Sequence, residues 1–258
     1  MITDPLQIIL LLLAGFIAGV INAVAGGGKL LVLPALIASG LPPLTANITS
    51  SLVLWPGAAG AAWQYLGELK KIPRKYFLLL IPSFAGALVG TIALQHTSNS
   101  IFAQLVPWLM LVGVLFFTFQ PYLNKYIRQP LSKRPHLSLA VIGILLLVAS
   151  IYGGYFGAGF GFVLMALLGF TSLKSVYQFS AIKNIVGGGM ELLGVIYFTI
   201  VGGIAWQIGL VAMVGCIIGG VLGARFALKI PQAHIRTIIT IVGIILTAVV
   251  FVQAYMSS

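Results

Sequence analysis

Acidic side chains are nearly missing from this chain: Asp and Glu number 3 in 258 residues, beside 14 Lys and Arg, and charged residues of both signs make up 7%. So few carboxylates exclude a paired-carboxylate hydrolase. Cysteine is reduced to Cys216, which rules out an internal disulfide. Histidine is nearly as scarce. His96, His136 and His234 share no ligand spacing, so neither a metal site nor a cofactor is expected. Gly26-Gly27-Gly28-Lys29 lacks the leading glycine spacing and the Ser or Thr of a phosphate-binding loop. These absences remove the usual enzyme signatures, and without an ATPase domain any transport would be secondary, channel-like or dependent on a partner.

What is present is apolar: 60% of residues are hydrophobic and the mean hydropathy is +1.13. Barrel strands would need a polar residue at every second position, whereas these apolar runs are helix-length. They cover about 6–24, 29–39, 44–66, 76–95, 99–119, 137–156, 160–169, 175–199, 204–228 and 232–254. The expectation is an all-α integral membrane protein of about eight transmembrane helices plus glycine-broken hairpin segments. The first run has no basic flank and leads into more apolar sequence, so no cleavable signal peptide is expected. A net charge of +11 invites a nucleic-acid reading. Positive-inside topology accounts for it instead, because the basic residues fall in short loops between spans.

Two apolar segments, 29–39 and 160–169, are too short to span, and each follows a glycine cluster near the start of one half. Gly26 and Gly28 align with Gly159 and Gly161, and Gly86-x-x-x-Gly90 aligns with Gly219-x-x-x-Gly223, at one offset of 133. Residues 1–122 therefore read as a first repeat, 123–136 as a basic cytoplasmic linker, and 137–258 as a second copy. Charge placement decides the orientation. Twelve of the fourteen cations lie at segment ends: Lys70, Lys71, Arg74, Lys75, Lys125, Arg128, Lys133, Arg134, Lys174, Arg225, Lys229 and Arg236. They fall on one face only if each glycine-broken segment enters and returns as a hairpin. Hairpins and inverted repeats follow, with the basic loops cytoplasmic and both termini outside.

Three ionisable residues remain inside apolar segments: Lys29, Lys183 and Glu191. A charge there costs roughly 2.5–3.5 kcal/mol on insertion scales and marks a functional site by default. Lys183 and Glu191, eight residues apart, share a helix face about 12 Å apart, so they line one cavity without pairing. Snorkelling to the headgroups is the structural alternative for each lysine. The structural alternative for Glu191 is a carboxyl that holds a neighbouring helix. Gly86, Gly90, Gly215, Gly219 and Gly223 fit close helix packing. Gly26, Gly27 and Gly28 differ: placed before a new helix they present its free N–H groups and positive dipole end, as Gly159 and Gly161 do in the second half. Asn22, Asn47, Thr49, Ser50 and Asn184 gather near these breaks, and their hydroxyl and amide groups with the lysines suit an oxyanion. The same groups also suit holding helices together.

Gly19-x-x-Asn22-x-x-x-Gly26-Gly27-Gly28, Leu33-Pro34-x-Leu36, Gly40-Leu41-Pro42-Pro43 and Ala46-Asn47-x-Thr49-Ser50 in the first half carry a family resemblance, as do Gly153 to Gly161 and Ala181-Ile182-Lys183-Asn184 in the second. Over nearly its whole length the chain resembles the TauE/SafE family of sulfite exporters and related anion permeases. That resemblance implies a multi-pass carrier of the bacterial inner membrane moving sulfite, sulfonates or other small organic anions, coupled to H+ or Na+. Lys29 stands where many relatives carry a fourth glycine or another small residue. The combined reading is a secondary anion transporter with alternating access between the repeats. Its substrate-binding residues are Asn22, Gly26, Gly27, Gly28, Lys29, Asn47, Thr49, Ser50, Gly159, Gly161, Lys183 and Asn184. Glu191 is assigned to proton coupling. A homodimer in the lipid bilayer is compatible with this reading. The alternatives are a metal or cation carrier, for which one buried carboxylate is meagre, and a non-transporting scaffold or intramembrane enzyme.

Overall fold

A computed structural model describes residues 4–127, 137–173, 175–226 and 232–255, and these contain helices but no strand. Helix α1 (Pro5–Ala25) begins where the Asp4 carboxylate accepts the Leu6 N–H and Pro5 supplies a helical φ. It ends at Gly26, whose φ of 79° suits glycine alone and whose N–H returns to Asn22 O. Helix resumes at once as α2 (Lys29–Ala38), and α3 (Pro43–Gln64) follows. A single turn, α4 (Leu66–Leu69), and a 3-10 segment, Arg74–Leu79, lead into α5 (Leu80–Gln95) and α6 (Asn99–Ile127). The second half comprises α7 (Leu139–Tyr155), α8 (Phe160–Leu168), α9 (Val176–Val201), α10 (Trp206–Phe226) and α11 (Gln232–Tyr255). Ser138 and Ser175 cap α7 and α9 with their hydroxyls.

Helix ends fall close to the expected segments, except that α6 continues to Ile127, so residues 123–127 of the expected linker are helical. The rest of that linker and the basic residues Arg128, Lys133, Arg134, Lys174 and Lys229 lie outside the described residues. Pro5–Ala23, Arg74–Gln95, Asn99–Phe116, Tyr177–Val201 and Trp206–Arg225 are long and apolar enough to cross a membrane, five segments among the described residues where about eight were expected. The polar Asn47, Thr49, Ser50 and Ser51 dilute α3, and the described apolar stretches Leu139–Tyr155 and Thr240–Tyr255 are shorter. The outer surface is strongly apolar, with Ile81, Ile144, Val148, Ile200 and Ile244 all exposed. Water would not tolerate such a continuous coat.

Close glycine contacts fix the directions of the helices. Side chains on Gly215 and Gly219 would overlap the backbone oxygens of Leu12 and Phe16, so α1 and α10 run parallel at backbone contact. Gly86 and Gly90 stand in the same relation to Leu147 and Ile151, which makes α5 and α7 parallel. Gly209 against Leu52 and Gly57 against Cys216 set α3 parallel to α10. Since α1 and α3 both follow α10, the short α2 between them must turn back. Its far end lies beside the start of α1, where Gln7 Nε2 donates to Ser39 O at 3.1 Å. The second half repeats this arrangement: α7 and α9 both follow α5, through Phe84 against Gly189 and Gln95 against Tyr197, so α8 turns back as well.

Matching helices of the two halves cross antiparallel. Ala58 meets Gly188 and Ser51 meets Gly194, opposing α3 to α9, while Val114 meets Gly243 and Gln104 meets Tyr255, opposing α6 to α11. These directions gather the loop 65–79, the α8–α9 loop and the C-terminal ends of α6 and α10 at one end of the molecule. Loops 40–42, 96–98 and 202–205 lie at the other. The buried core forms two clusters, one around α2 through Leu30, Leu33 and Leu36, the other around α8 through Phe160, Leu164 and Leu168.

Candidate functional site

The two glycine breaks meet. A Cβ on Gly26 would lie 3.0 Å from Gly161 Cα, and one on Gly157 would lie 3.8 Å from Lys29 Nζ. Left-handed turns at Gly26 and Gly157 (φ 79° and 83°) close α1 and α7, and Gly28 and Gly159 cap α2 and α8. By position at the helix ends Gly26 corresponds to Gly157 and Gly28 to Gly159, two residues shorter than the offset read from sequence, although Gly159 (φ 78°) shares the positive φ of Gly26 and Gly28 (φ −55°) does not. The second turn is tied by Tyr152, whose hydroxyl donates to Ala158 O at 2.7 Å.

Between the breaks is a cavity of about 40 Å³, room for two or three waters. Six of its lining residues are glycines, Gly26, Gly153, Gly157, Gly161, Gly187 and Gly188, so much of its wall is bare backbone. Asn22, Lys183, Asn184 and Glu191 supply polar side chains. Lys183 is buried and its Nζ donates to both Asn22 O and Ala23 O at 3.0 Å, binding the carbonyl end of α1 from the opposite half. Lys29, also buried, stands 3.9 Å from Glu191 Oε1, again across the halves. Each lysine reaches the other half's machinery. Asn184 Nδ2 is buried without a hydrogen-bond partner, an unusual state for an amide and one that a ligand oxygen would relieve.

The other expected residues are used elsewhere. Asn47 Nδ2 donates to Tyr155 O at 3.1 Å, holding the carbonyl end of α7 much as Lys183 holds that of α1. Thr49 Oγ1 accepts the Ala205 N–H, and Ser50 Oγ donates to Asn47 O. Gly27, Gly28 and Gly159 shape the turns but do not line the cavity; Gly28 admits Asn22 and Leu54, and Gly159 packs on Gly113. The N–H groups expected to face an anion are partly spent, since Leu30 N and Leu31 N bond the turn oxygens of Gly27 and Gly28. Gly187-Gly188-Gly189, not expected at the site, runs through α9 without breaking it: Gly188 meets Ala58, Gly189 meets Phe84, and Gly187 faces open space. Three consecutive glycines were the sequence signal; tertiary packing here outweighs their poor helix propensity.

The family model for the sulfite exporter TauE/SafE matches residues 11–250. The chain belongs to the TauE/SafE family. A probable membrane transporter protein of Haemophilus influenzae is 32% identical over 244 residues, covering 93% of this chain and 92% of its own. The probable membrane transporter protein YfcA of Escherichia coli K12 is 26% identical over 245 residues, with 95% and 90% covered. ORF9 of a Sinorhizobium species, also named a probable membrane transporter protein, is 26% identical over 238 residues. No solved structure matches the chain. As a TauE/SafE member with an apolar exterior and several span-length helices, the protein is a multi-pass membrane transporter.

Proposed function

We propose that this TauE/SafE protein is a secondary transporter of small oxyanions, sulfite or organosulfonates among them, that binds its substrate where the two breaks meet. The observation that carries the reading is the convergence of Lys183 and the unpartnered Asn184 amide on one glycine-walled cavity beside the Lys29–Glu191 pair. Two ammonium groups against one carboxylate leave a single positive charge, and donors outnumber acceptors. Such a site is matched to a small anion.

Alternating access follows from an architecture of eight crossing helices, α1, α3, α5, α6, α7, α9, α10 and α11, with α2 and α8 as returning arms. Support comes from the antiparallel crossings of matching helices and from the exchange symmetry in which α1 lies on α10 and α7 on α5. Those features fit inverted repeats, whose binding sites lie at broken helices between the halves. Lys70, Lys71, Arg74, Lys75 and Arg225 share one end, which positive-inside topology assigns to the cytoplasm of an inner-membrane protein.

The test is counterflow in proteoliposomes against a panel of sulfite, sulfate, methanesulfonate, taurine and short carboxylates. At least one sulfur oxyanion is expected to exchange, with Lys29→Ala and Lys183→Ala each lowering its flux tenfold or more. Wild-type flux in both variants would remove the site from the mechanism.

A further inference from the structure

Lys183 occupies an unusual acceptor set. The residue is 3% exposed, and its ammonium donates to two successive carbonyls, Asn22 O and Ala23 O, in the last turn of a helix that stops inside the protein. The negative end of the α1 dipole points at the same spot. In secondary transporters, carbonyls at the C-terminal ends of half-helices are where a coupling sodium ion binds. Here a covalently attached cation takes those oxygens. Two of its three N–H donors are used among the described contacts, and the side chain also lines the cavity.

The other charged group lining the cavity is Glu191 on α9; Lys29 on α2 is not part of the lining but faces Glu191 at 3.9 Å. The remaining elements around Lys183 present Asn22 and Gly26 from α1, Gly161 from α8, Gly153 from α7 and Ala58 from α3, none of which titrates. With Lys29 and Glu191 neutralising each other, the cavity's net charge is set by Lys183 alone.

We propose that Lys183 is the built-in coupling cation of this transporter, carrying the driving proton in place of sodium. The inference deepens the anion-transport reading and rests on it. Protonated Lys183 grips the α1 carbonyls and attracts a monovalent anion, making a neutral loaded state. After the anion leaves, Lys183 passes its proton to cavity water on the receiving side, and the empty carrier returns neutral. The protonated carrier without an anion, or the anion on a neutral lysine, would bury an uncompensated charge, and that penalty blocks both leaks. One proton therefore moves with each monovalent anion, without net charge transfer.

The experiment has two arms. In proteoliposomes, the anion that exchanges in the counterflow panel is expected to accumulate toward about tenfold, the limit for one proton per monovalent anion, when the source side is acid by one pH unit. Accumulation should be the same in sodium and choline buffers and unchanged by a potassium–valinomycin potential. Lys183→Arg keeps the cation but holds its proton, so whatever exchange it loses through altered binding, net acid-driven uptake should fall at least tenfold further than exchange does. A lysine with a purely structural role would lose both together or neither. In the second arm, purified wild-type protein and Lys183→Gln are titrated with 22Na+, which requires no substrate. Wild type should show no saturable binding. Sodium-driven uptake, equal loss of exchange and net uptake in Lys183→Arg, or saturable 22Na+ binding to wild type that Lys183→Gln leaves unchanged would overturn the inference. Absence of exchange for every anion in the panel would instead overturn the anion reading, and the sodium titration would still judge Lys183.

Discussion

Replacing Glu191 by Gln leaves Lys29 as a buried cation without its counterion. At 3.9 Å the pair is too long for a direct hydrogen bond, so its energy is mainly Coulombic. An effective dielectric near 20 gives about 4 kcal/mol at that separation. Lys29 is 6% exposed at its side chain and Glu191 17%, so water relieves part of the loss and about 3 kcal/mol is expected. At roughly 2–4 °C per kcal/mol for a chain of this size, the apparent Tm in detergent should fall by about 6–12 °C. Lys29→Met alone strands the carboxylate and should cost a similar amount. The double variant Lys29→Met/Glu191→Gln removes both charges and should recover to within about 1 kcal/mol of wild type, a coupling of about 5 kcal/mol in a double-mutant cycle. Tryptophan fluorescence during heating measures all four proteins. Additive single and double effects, within about 0.5 kcal/mol, would show that the two groups are not coupled and that the cavity's charge balance is wrong.

Gly219→Leu should prevent stable folding, since even its Cβ would overlap Phe16 O and only separation of α1 from α10 makes room; monodisperse protein at wild-type yield after size exclusion would contradict the packing. Gly187→Ala meets no atom within 4 Å and should stabilise α9 by up to about 1 kcal/mol while lowering flux, because the methyl occupies the cavity; higher Tm with undiminished transport would move the substrate path elsewhere. Gly26→Ala forces a non-glycine residue to φ 79° and costs about 1–2 kcal/mol in detergent stability before its contact with Gly161 is counted; an unchanged Tm would argue against the left-handed turn. In a Cys216→Ala background, cysteines at Lys70 and Arg225 should label from one side of the membrane and cysteines at Thr97 and Gly202 from the other, and any other partition refutes the helix directions.

The glycine seams were legible because their cause is steric and local: two backbones can approach only where every third or fourth residue lacks a side chain, as at Gly86 and Gly90 or Gly219 and Gly223. The breaks at Gly26–Gly28 and Gly157–Gly159 were legible for a related reason, since short apolar segments follow them. The partner of Lys183 was not. A lysine that donates to side chains has carboxylates to match it in sequence, but Asn22 O and Ala23 O are backbone atoms that any residue would supply. The helical spacing of Glu191 from Lys183 pointed to a shared face, and both line the cavity; its charge partner Lys29 was not legible, because it comes from α2 through a contact that only the meeting of the breaks creates.

The two halves match in packing and differ in chemistry, and this difference explains which signals survived. Residues that keep α1 on α10 and α7 on α5 obey one geometric rule in both halves. At the helix ends the demand is only that carbonyls be bonded, and the halves meet it differently: the α1 end receives two charge-assisted bonds from Lys183, the α7 end one neutral bond from Asn47. At about 1.5–3 kcal/mol for each charge-assisted bond against about 1 kcal/mol for the amide, the grip on α1 is the stronger by some kcal/mol. Opening the α1 break thus costs more than opening the α7 break unless the charge on Lys183 is removed or drawn to an anion. Two breaks alike in their glycines therefore become unequal through one charged side chain, which glycine spacing does not reveal because the α7 end is held by a neutral amide instead.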